Sequence, residues 1–310
     1  MPKRDRLAGM PRALLCSLLL LACGGPEPES AAPSTAPAAS DLPETSEARG
    51  APDPLPALQE GPRAAQLPLP AARVLRVPMR DGLESVGELR PGHAPTAPLV
   101  VLVHQLSTDR TEWQPLLRRL GAAPALTTFA FDMRGHGEST QLRGRTVAWA
   151  DFQTADWERV SEDVLTTIDY LREEEGLRPE RVILVGSSIG SSAVLLAAAR
   201  EPSVNALVAL SPGRAYRGVD AFGPATQLGD RALLAIASRG EPASAETAQA
   251  MGTIAGGGEY LLVDGDRHGV GMFESAPESL ERVVAFIRHE ARPSPARVET
   301  VEAPAARSEE

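Results

Sequence analysis

The sequence predicts an α/β domain whose mostly parallel sheet is covered by helices on both faces. Two observations indicate this class. Between about residue 73 and residue 291, short apolar segments bounded by Gly, Pro or Asp alternate with longer segments of mixed polarity. The apolar segments lack the alternation of a half-exposed strand, which is typical of parallel strands buried on both faces by amphipathic helices.

The elements follow one another in a regular order. Arg73–Met79 and Leu83–Leu89 form two strands joined by Asp81-Gly82, a hairpin-turn signal. The later predicted strands are Leu99–His104, Leu126–Phe131, Arg181–Val185, Asn205–Leu210, Ala232–Ala237 and Tyr260–Val263. The predicted helices between and after them are Glu112–Leu120, Glu158–Leu171, Ser191–Arg200, Ala245–Ile254 and Glu278–Glu290.

The N-terminal residues have the pattern of an export signal. A basic start precedes the apolar run Ala13–Ala22, which is too short for a membrane span and typical of a signal peptide. The run ends in Leu-Leu-Ala-Cys, which resembles the lipobox of bacterial lipoproteins. We expect residues 1–22 to be the signal peptide and Cys23 to be lipidated, anchoring the protein to the bacterial cell envelope on the periplasmic or outer-membrane face.

Two further segments are predicted to lack a packed core. Residues 23–72 are rich in Pro, Ala, Glu and Ser without an apolar period, and they read as a disordered tether between the anchor and the domain. Residues 292–310 read as a disordered polar tail. The chain has two cysteines, Cys16 and Cys23, so the mature domain holds neither a thiol nor a disulfide that could be its chemistry.

Charge and motif content exclude several function classes. The formal net charge of −10 argues against nucleic-acid binding, which normally uses a basic face. No cluster of His, Asp, Glu or Cys has metal-ligand spacing. Gly256-Gly257-Gly258 lacks the Lys and Ser/Thr of a phosphate-binding loop. We therefore expect neither a metal nor an organic cofactor.

The segment Gly186-Ser-Ser-Ile-Gly190 lies between a predicted strand and a predicted helix. A strand, Gly-x-Ser-x-Gly and a helix in that order predict a nucleophile elbow, with Ser188 as its central residue. Small residues two positions before and after the serine allow the tight turn, and the helix that follows offers free N–H groups and a positive dipole end.

With this turn the chain resembles the α/β-hydrolase family over nearly all of residues 73–291. Two other segments carry the resemblance: Val101–Gln105, in which a strand ends in His104, and Asp132–Ser139, which matches an Asp-x-Arg-Gly-x-Gly-x-Ser turn. The resemblance implies an α/β-hydrolase fold. It also implies that Asp132 and Arg134 stabilise their turn rather than take part in catalysis.

The resemblance also implies the other catalytic residues, in the order nucleophile, acid, histidine. His268 follows the strand Tyr260–Val263, where the family places its base. Glu241 follows Ala232–Ala237, where the family usually has Asp, and Asp220 is the alternative acid. The backbone N–H groups of Gln105 and Ile189 are the expected oxyanion donors.

These residues together predict a serine hydrolase that cleaves a small acyl ester through an acyl-enzyme. The connection from Ser211 to Asp230 is too short for a lid domain, so we expect a minimal cap, with Gln141–Trp157 as a small flap. A peptidase or amidase of the same fold, and a non-catalytic binding lipoprotein, are the alternatives.

Overall fold

The computed structural model describes residues 71–121, 125–254 and 256–293 of the chain. An antiparallel hairpin of β1 (Arg73–Pro78) and β2 (Leu83–Arg90) begins this part. Its turn has Gly82 at a φ of 89°, and the Leu83 N–H donates to the Asp81 carboxylate at 3.2 Å. Because a left-handed φ costs glycine nothing, the Asp-Gly pair forms the turn that the sequence predicts.

The remaining elements alternate along the chain. The other strands are β3 (Leu99–Val103), β4 (Thr127–Phe131), β5 (Gln141–Leu142), β6 (Arg145–Thr146), β7 (Val182–Ser187), β8 (Val204–Leu210), β9 (Ala215–Tyr216), β10 (Val219–Asp220), β11 (Ala232–Ser238) and β12 (Gly257–Val263). The helices are α1 (Gln114–Leu120), α2 (Thr154–Glu173), α3 (Ile189–Arg200), α4 (Phe222–Thr226), α5 (Pro242–Ile254), α6 (Met272–Ser275) and α7 (Pro277–Glu290).

The main sheet has the strand order β12-β11-β8-β7-β3-β4-β2-β5-β6, with β1 pairing with β2. The six strands from β12 to β4 are mutually parallel, and β2 pairs antiparallel with β4. The carboxyl ends of these six parallel strands therefore meet at one edge. In open α/β sheets this edge is where ligands bind.

Successive side chains of the central strands enter two different cores. Leu99, Val101 and Val103 of β3 belong to a cluster that also contains buried residues of α2, α3 and α5. Val100 and Leu102 belong to a second cluster, built with α1, α6 and α7. Strand residues point to alternate faces, so this division confirms a mostly parallel sheet covered by helices on both faces.

Each predicted strand and helix has a counterpart, with shifted ends. Helix α2 begins four residues earlier than predicted, at Thr154, and a 3-10 turn at Arg110–Trp113 precedes α1. The segment Gln141–Trp157, expected to form a small flap, holds the β5–β6 hairpin and the first residues of α2. β5 pairs with β2 at the sheet edge, and residues from Thr154 onward are already helical.

Several predicted features lie outside the described residues. These are the signal peptide 1–22, the lipidation site Cys23, most of the tether 23–72 and most of the tail 292–310. Within the described ranges, no helix is both long enough and apolar enough to cross a bilayer.

Candidate active site

Ser188 lies between the end of β7 and the start of α3, in a sharply bent conformation with φ 53° and ψ −118°. The two glycines around it leave no space for side chains. A Cβ on Gly186 would lie 2.3 Å from the Gly190 carbonyl oxygen, and one on Gly190 would lie 2.3 Å from the Val103 carbonyl oxygen. A non-glycine residue with positive φ is strained and occurs often at functional sites. The turn thus has the geometry of a nucleophile elbow.

The elbow directs Ser188 toward the N-terminus of α3. The Ser188 N–H donates to the Leu210 carbonyl at 2.8 Å, which ties the turn to the end of β8. Ile189 is the first residue of the twelve-residue helix α3. The first N–H groups of a helix have no carbonyl partner within it, so the Ile189 N–H is suited to stabilise negative charge next to Ser188.

The structure brings His268 and Glu241 together. His268 follows β12, Glu241 follows β11, and the His268 Nδ1 atom lies 2.5 Å from Glu241 Oε1. The imidazole side chain is 37% exposed and the carboxylate 18%. Because the carboxylate contacts Nδ1 and fixes the ring, Nε2 is the ring nitrogen left for proton transfer.

The loop after His268 packs against the elbow. Gly269 has φ 55°, and a Cβ there would lie 2.3 Å from Ser187 Oγ and 2.0 Å from Gln105 Oε1. The histidine loop and the Ser188 turn are therefore on the same side of the molecule, at the carboxyl edge of the sheet.

Tyr216 in the short β9–β10 hairpin also reaches this edge. Its ring meets His268 edge-on, with 6.2 Å between the ring centroids, and its hydroxyl lies 3.0 Å from Ser244 Oγ. Burial raises the pKa of the Tyr216 phenol, and hydrogen bonding with Ser244 and Ser188 opposes this rise. Sequence reasoning missed Tyr216, because nothing in the pattern of a two-residue strand indicates that it folds back over the site.

The alternative acid, Asp220, has a different role in the structure. Its Oδ1 accepts the N–H groups of Phe222 at 2.9 Å and Gly223 at 3.3 Å, which is the pattern of an N-terminal helix cap. Asp220 is exposed and its carboxylate holds the backbone at the start of α4, whereas Glu241 contacts the imidazole. Of the two candidates, Glu241 has the position of a triad acid.

The expectation for the Gln105 N–H is not met. This N–H donates to Glu112 Oε1 at 3.0 Å, and the Thr108 hydroxyl donates to Glu112 Oε2 at 2.6 Å. Burial raises the pKa of the Glu112 carboxyl to about 7. A carboxylate with little access to water requires such donors, and the Gln105 N–H is engaged by Glu112. The Gln105 side chain instead accepts the Ser187 hydroxyl at 3.0 Å.

His104 and the turn after β4 make hydrogen bonds that stabilise the backbone. The Met133 N–H donates to His104 Nε2 at 2.9 Å, and Nδ1 donates to the Gln105 carbonyl at 2.7 Å. Burial lowers the pKa of His104 to about 3, so the ring is neutral. Asp132 accepts the N–H groups of Arg110 at 2.9 Å and Glu138 at 2.8 Å. These contacts hold the loop that leads from β3 to α1.

The described residues contain no group of three or more His, Cys, Asp or Glu side chains able to hold a metal ion. The site combines a strained serine at a helix N-terminus with an imidazole–carboxylate pair on the same sheet edge.

Comparison with known proteins agrees with this fold. A family profile described as serine aminopeptidase, S33, matches residues 94–246, which include Ser188 and Glu241 and end before His268. An esterase structure from Pyrococcus furiosus, Pf2001, superimposes with a TM-score of 0.58 at 14% identity, covering 77% of this chain and 99% of that one.

Two curated relatives match shorter segments. An uncharacterized 31.7 kDa protein of Escherichia coli is 32% identical over 111 residues, which span 36% of this chain and 36% of that protein. A thiohydrolase of Aspergillus aculeatus, aneE, is 26% identical over 132 residues, 43% of this chain and 39% of the relative. The alignments thus span little more than a third of these relatives.

The sheet, the helices on both faces and the structural similarity define the class of protein. This chain has the α/β-hydrolase fold.

Proposed function

We propose that this protein is a serine hydrolase that cleaves carboxylic esters through Ser188, His268 and Glu241. The observation that carries the proposal is the 2.5 Å contact between His268 Nδ1 and Glu241 Oε1, at the same sheet edge as the strained Ser188 turn. A carboxylate on Nδ1 leaves Nε2 as the nitrogen that accepts a proton.

The reaction follows from these positions. His268 Nε2 takes the Ser188 proton while Oγ attacks the acyl carbon, and the Ile189 N–H stabilises the oxyanion. His268 then gives the proton to the alcohol oxygen as its bond to the acyl carbon breaks. The acyl group remains on Ser188 as an acyl-enzyme. A water molecule, deprotonated by the same nitrogen, releases the acid and restores the serine.

An ester is the preferred substrate class because the site is open. His268 is more than a third exposed, and the segment from Ser211 to Asp230 forms only a two-strand hairpin and a short helix. Small or accessible acyl groups suit such a site. The similarity to a serine aminopeptidase profile makes a peptidase the second candidate.

The test is turnover of p-nitrophenyl butyrate by the purified protein. We expect the Ser188→Ala variant to lose at least about a thousandfold in kcat, because removal of a triad nucleophile leaves only binding and oxyanion stabilisation. A fluorophosphonate should label the parent at Ser188, as located by peptide mass spectrometry. An aminoacyl p-nitroanilide hydrolysed faster than the ester would favour the peptidase.

Ser192→Ala is the matched control. Ser192 lies one helical turn beyond the elbow on α3, and its buried hydroxyl has no hydrogen-bond partner among the described residues. This variant should keep the activity of the parent. Turnover that survives Ser188→Ala would reject the nucleophile, and a parent that neither turns over nor becomes labelled would favour a non-catalytic binding protein.

A further inference from the structure

Ser211 is a serine in a position that suits glycine better. It follows β8 directly at the carboxyl edge of the sheet, is completely buried and has φ 43°. A side chain at such an angle costs on the order of 1 kcal/mol relative to glycine. The strain suggests that the hydroxyl group contributes something that glycine would lack.

The Ser211 hydroxyl joins the acid to the histidine loop. Its oxygen accepts a hydrogen bond from the Gly269 N–H at 2.8 Å. The hydroxyl also donates to Glu241 Oε2 at 2.9 Å. Because an N–H can only donate, the hydroxyl proton remains free for the carboxylate. One oxygen of Glu241 therefore contacts Ser211 while the other contacts His268 Nδ1.

The Ser211 backbone is held on both sides. Its N–H donates to the Ile236 carbonyl of β11 at 2.7 Å, and its carbonyl accepts the Tyr216 hydroxyl at 3.1 Å. The hydroxyl is thus a fixed point between β8, β11 and the loop after β12. Ser238, by contrast, bonds the Arg267 carbonyl at 2.5 Å on the other side of His268.

We propose that Ser211 is a positioning residue that aligns the Glu241–His268 pair with Ser188. The inference rests on the proposed hydrolase function. The hydroxyl orients the second oxygen of the carboxylate and fixes the start of the loop that carries the imidazole. It touches no substrate, so it acts through Glu241 and Gly269.

The test uses Ser211→Gly and Ser211→Ala in the full chain. Glycine adopts this φ readily, so the glycine variant removes the hydroxyl without adding backbone strain. We expect kcat for p-nitrophenyl butyrate to fall about tenfold to a hundredfold in both variants, the range for a lost hydrogen bond to a charged group. KM should change by less than about threefold, because the interaction is not made with substrate.

Comparing the loss of kcat for two esters with different leaving groups distinguishes a positioning role from a purely structural one. Ethyl butyrate needs a proton from His268 on its leaving oxygen, whereas p-nitrophenolate departs without one. We therefore expect the loss for ethyl butyrate to exceed that for p-nitrophenyl butyrate. Ser279→Ala, which removes another fully buried serine hydroxyl, bonded to the Ala276 carbonyl at 2.7 Å, is the control and should behave as the parent.

The outcomes separate this inference from the proposed function. An inactive and unlabelled parent would overturn both. An active parent with a fully active Ser211→Gly variant would overturn the role of Ser211 alone. So would a Ser211→Gly variant that melts at a lower temperature and either keeps the parent's kcat or loses it equally for the two esters.

Discussion

At the scale of single residues, Glu112 is an unexpected component of the region around the site. Its carboxyl is partly buried beside the loop after β3, where Thr108 and the Gln105 N–H donate to it. Burial nevertheless dominates and raises its pKa to about 7. The folded protein therefore binds this proton more tightly than the unfolded chain does, and the ionised carboxylate opposes folding.

This raised pKa predicts a pH-dependent stability. The contribution of Glu112 is most favourable below the unfolded pKa near 4.5 and declines as the pH rises to about 7. The decline is on the order of 3 kcal/mol. The free energy of unfolding of Glu112→Gln minus that of the parent should thus be larger at about pH 8 than at about pH 5. Urea unfolding at both pH values measures this.

The difference in unfolding free energy between the parent and Glu112→Gln reports on Glu112 and not on the other groups with shifted pKa values. The pKa of His104 is lowered and that of Asp163 is raised, and both groups are present in parent and variant alike. An equal difference in unfolding free energy at the two pH values would show that the Glu112 pKa is not raised.

At the scale of elements, one buried arginine connects three of them. Arg134, in the turn after β4, donates to both carboxylate oxygens of Asp163 on α2, at 2.7 and 2.6 Å. It also donates to Asp81 in the β1–β2 turn, at 2.9 Å. The side chains of Arg134 and Asp163 are 6% and 4% exposed, so the pair holds α2 and the hairpin in place from inside the protein.

Arg134→Met should therefore be strongly destabilising. The substitution leaves Asp163 buried without its partner, and we expect a loss on the order of 3 kcal/mol in the free energy of unfolding. Arg80→Met is a matched control, because Arg80 connects the same hairpin turn to Asp169 of α2 at 3.3 Å with both side chains exposed. It should cost less than about 1 kcal/mol. Equal losses in urea unfolding would contradict the buried role of Arg134.

At the scale of the whole molecule, the N-terminal sequence bears on where this α/β-hydrolase-fold domain is located. We propose that Cys23 is lipidated and that the residues up to the first strand form a tether. The support is the sequence pattern, a basic start and an apolar run that ends in Leu-Leu-Ala-Cys. The site would then face substrates near a bacterial membrane from the periplasmic or outer-membrane side.

The lipid anchor predicts a change of location without a change of chemistry. Cys23→Ser should move the protein from the membrane fraction to the soluble fraction of the expressing bacterium, with kcat for p-nitrophenyl butyrate unchanged. Cys16→Ser, which alters the other cysteine of the chain, is the control and should stay with the membrane. A Cys23→Ser protein that remained in the membrane fraction would rule out this anchor.

Local patterns in the sequence were enough to predict much of the architecture. Apolar runs such as Val100–Val103 and Ile183–Val185 predicted buried parallel strands, because burial on both faces leaves no alternation. Gly186 and Gly190 predicted the tight turn around Ser188, since a strand, Gly-x-Ser-x-Gly and a helix follow one another directly in the sequence. These features depend on neighbouring residues, which the sequence displays directly.

The tertiary structure decided which distant groups meet. It directed the Gln105 N–H to Glu112, bonded the Asp220 carboxylate to the Phe222 N–H and set Ser211 between Glu241 and Gly269. Each of these outcomes depends on where a side chain points after strands far apart in sequence have been brought side by side. A hydrogen bond requires specific distances and angles, and sequence spacing does not specify those between separate elements.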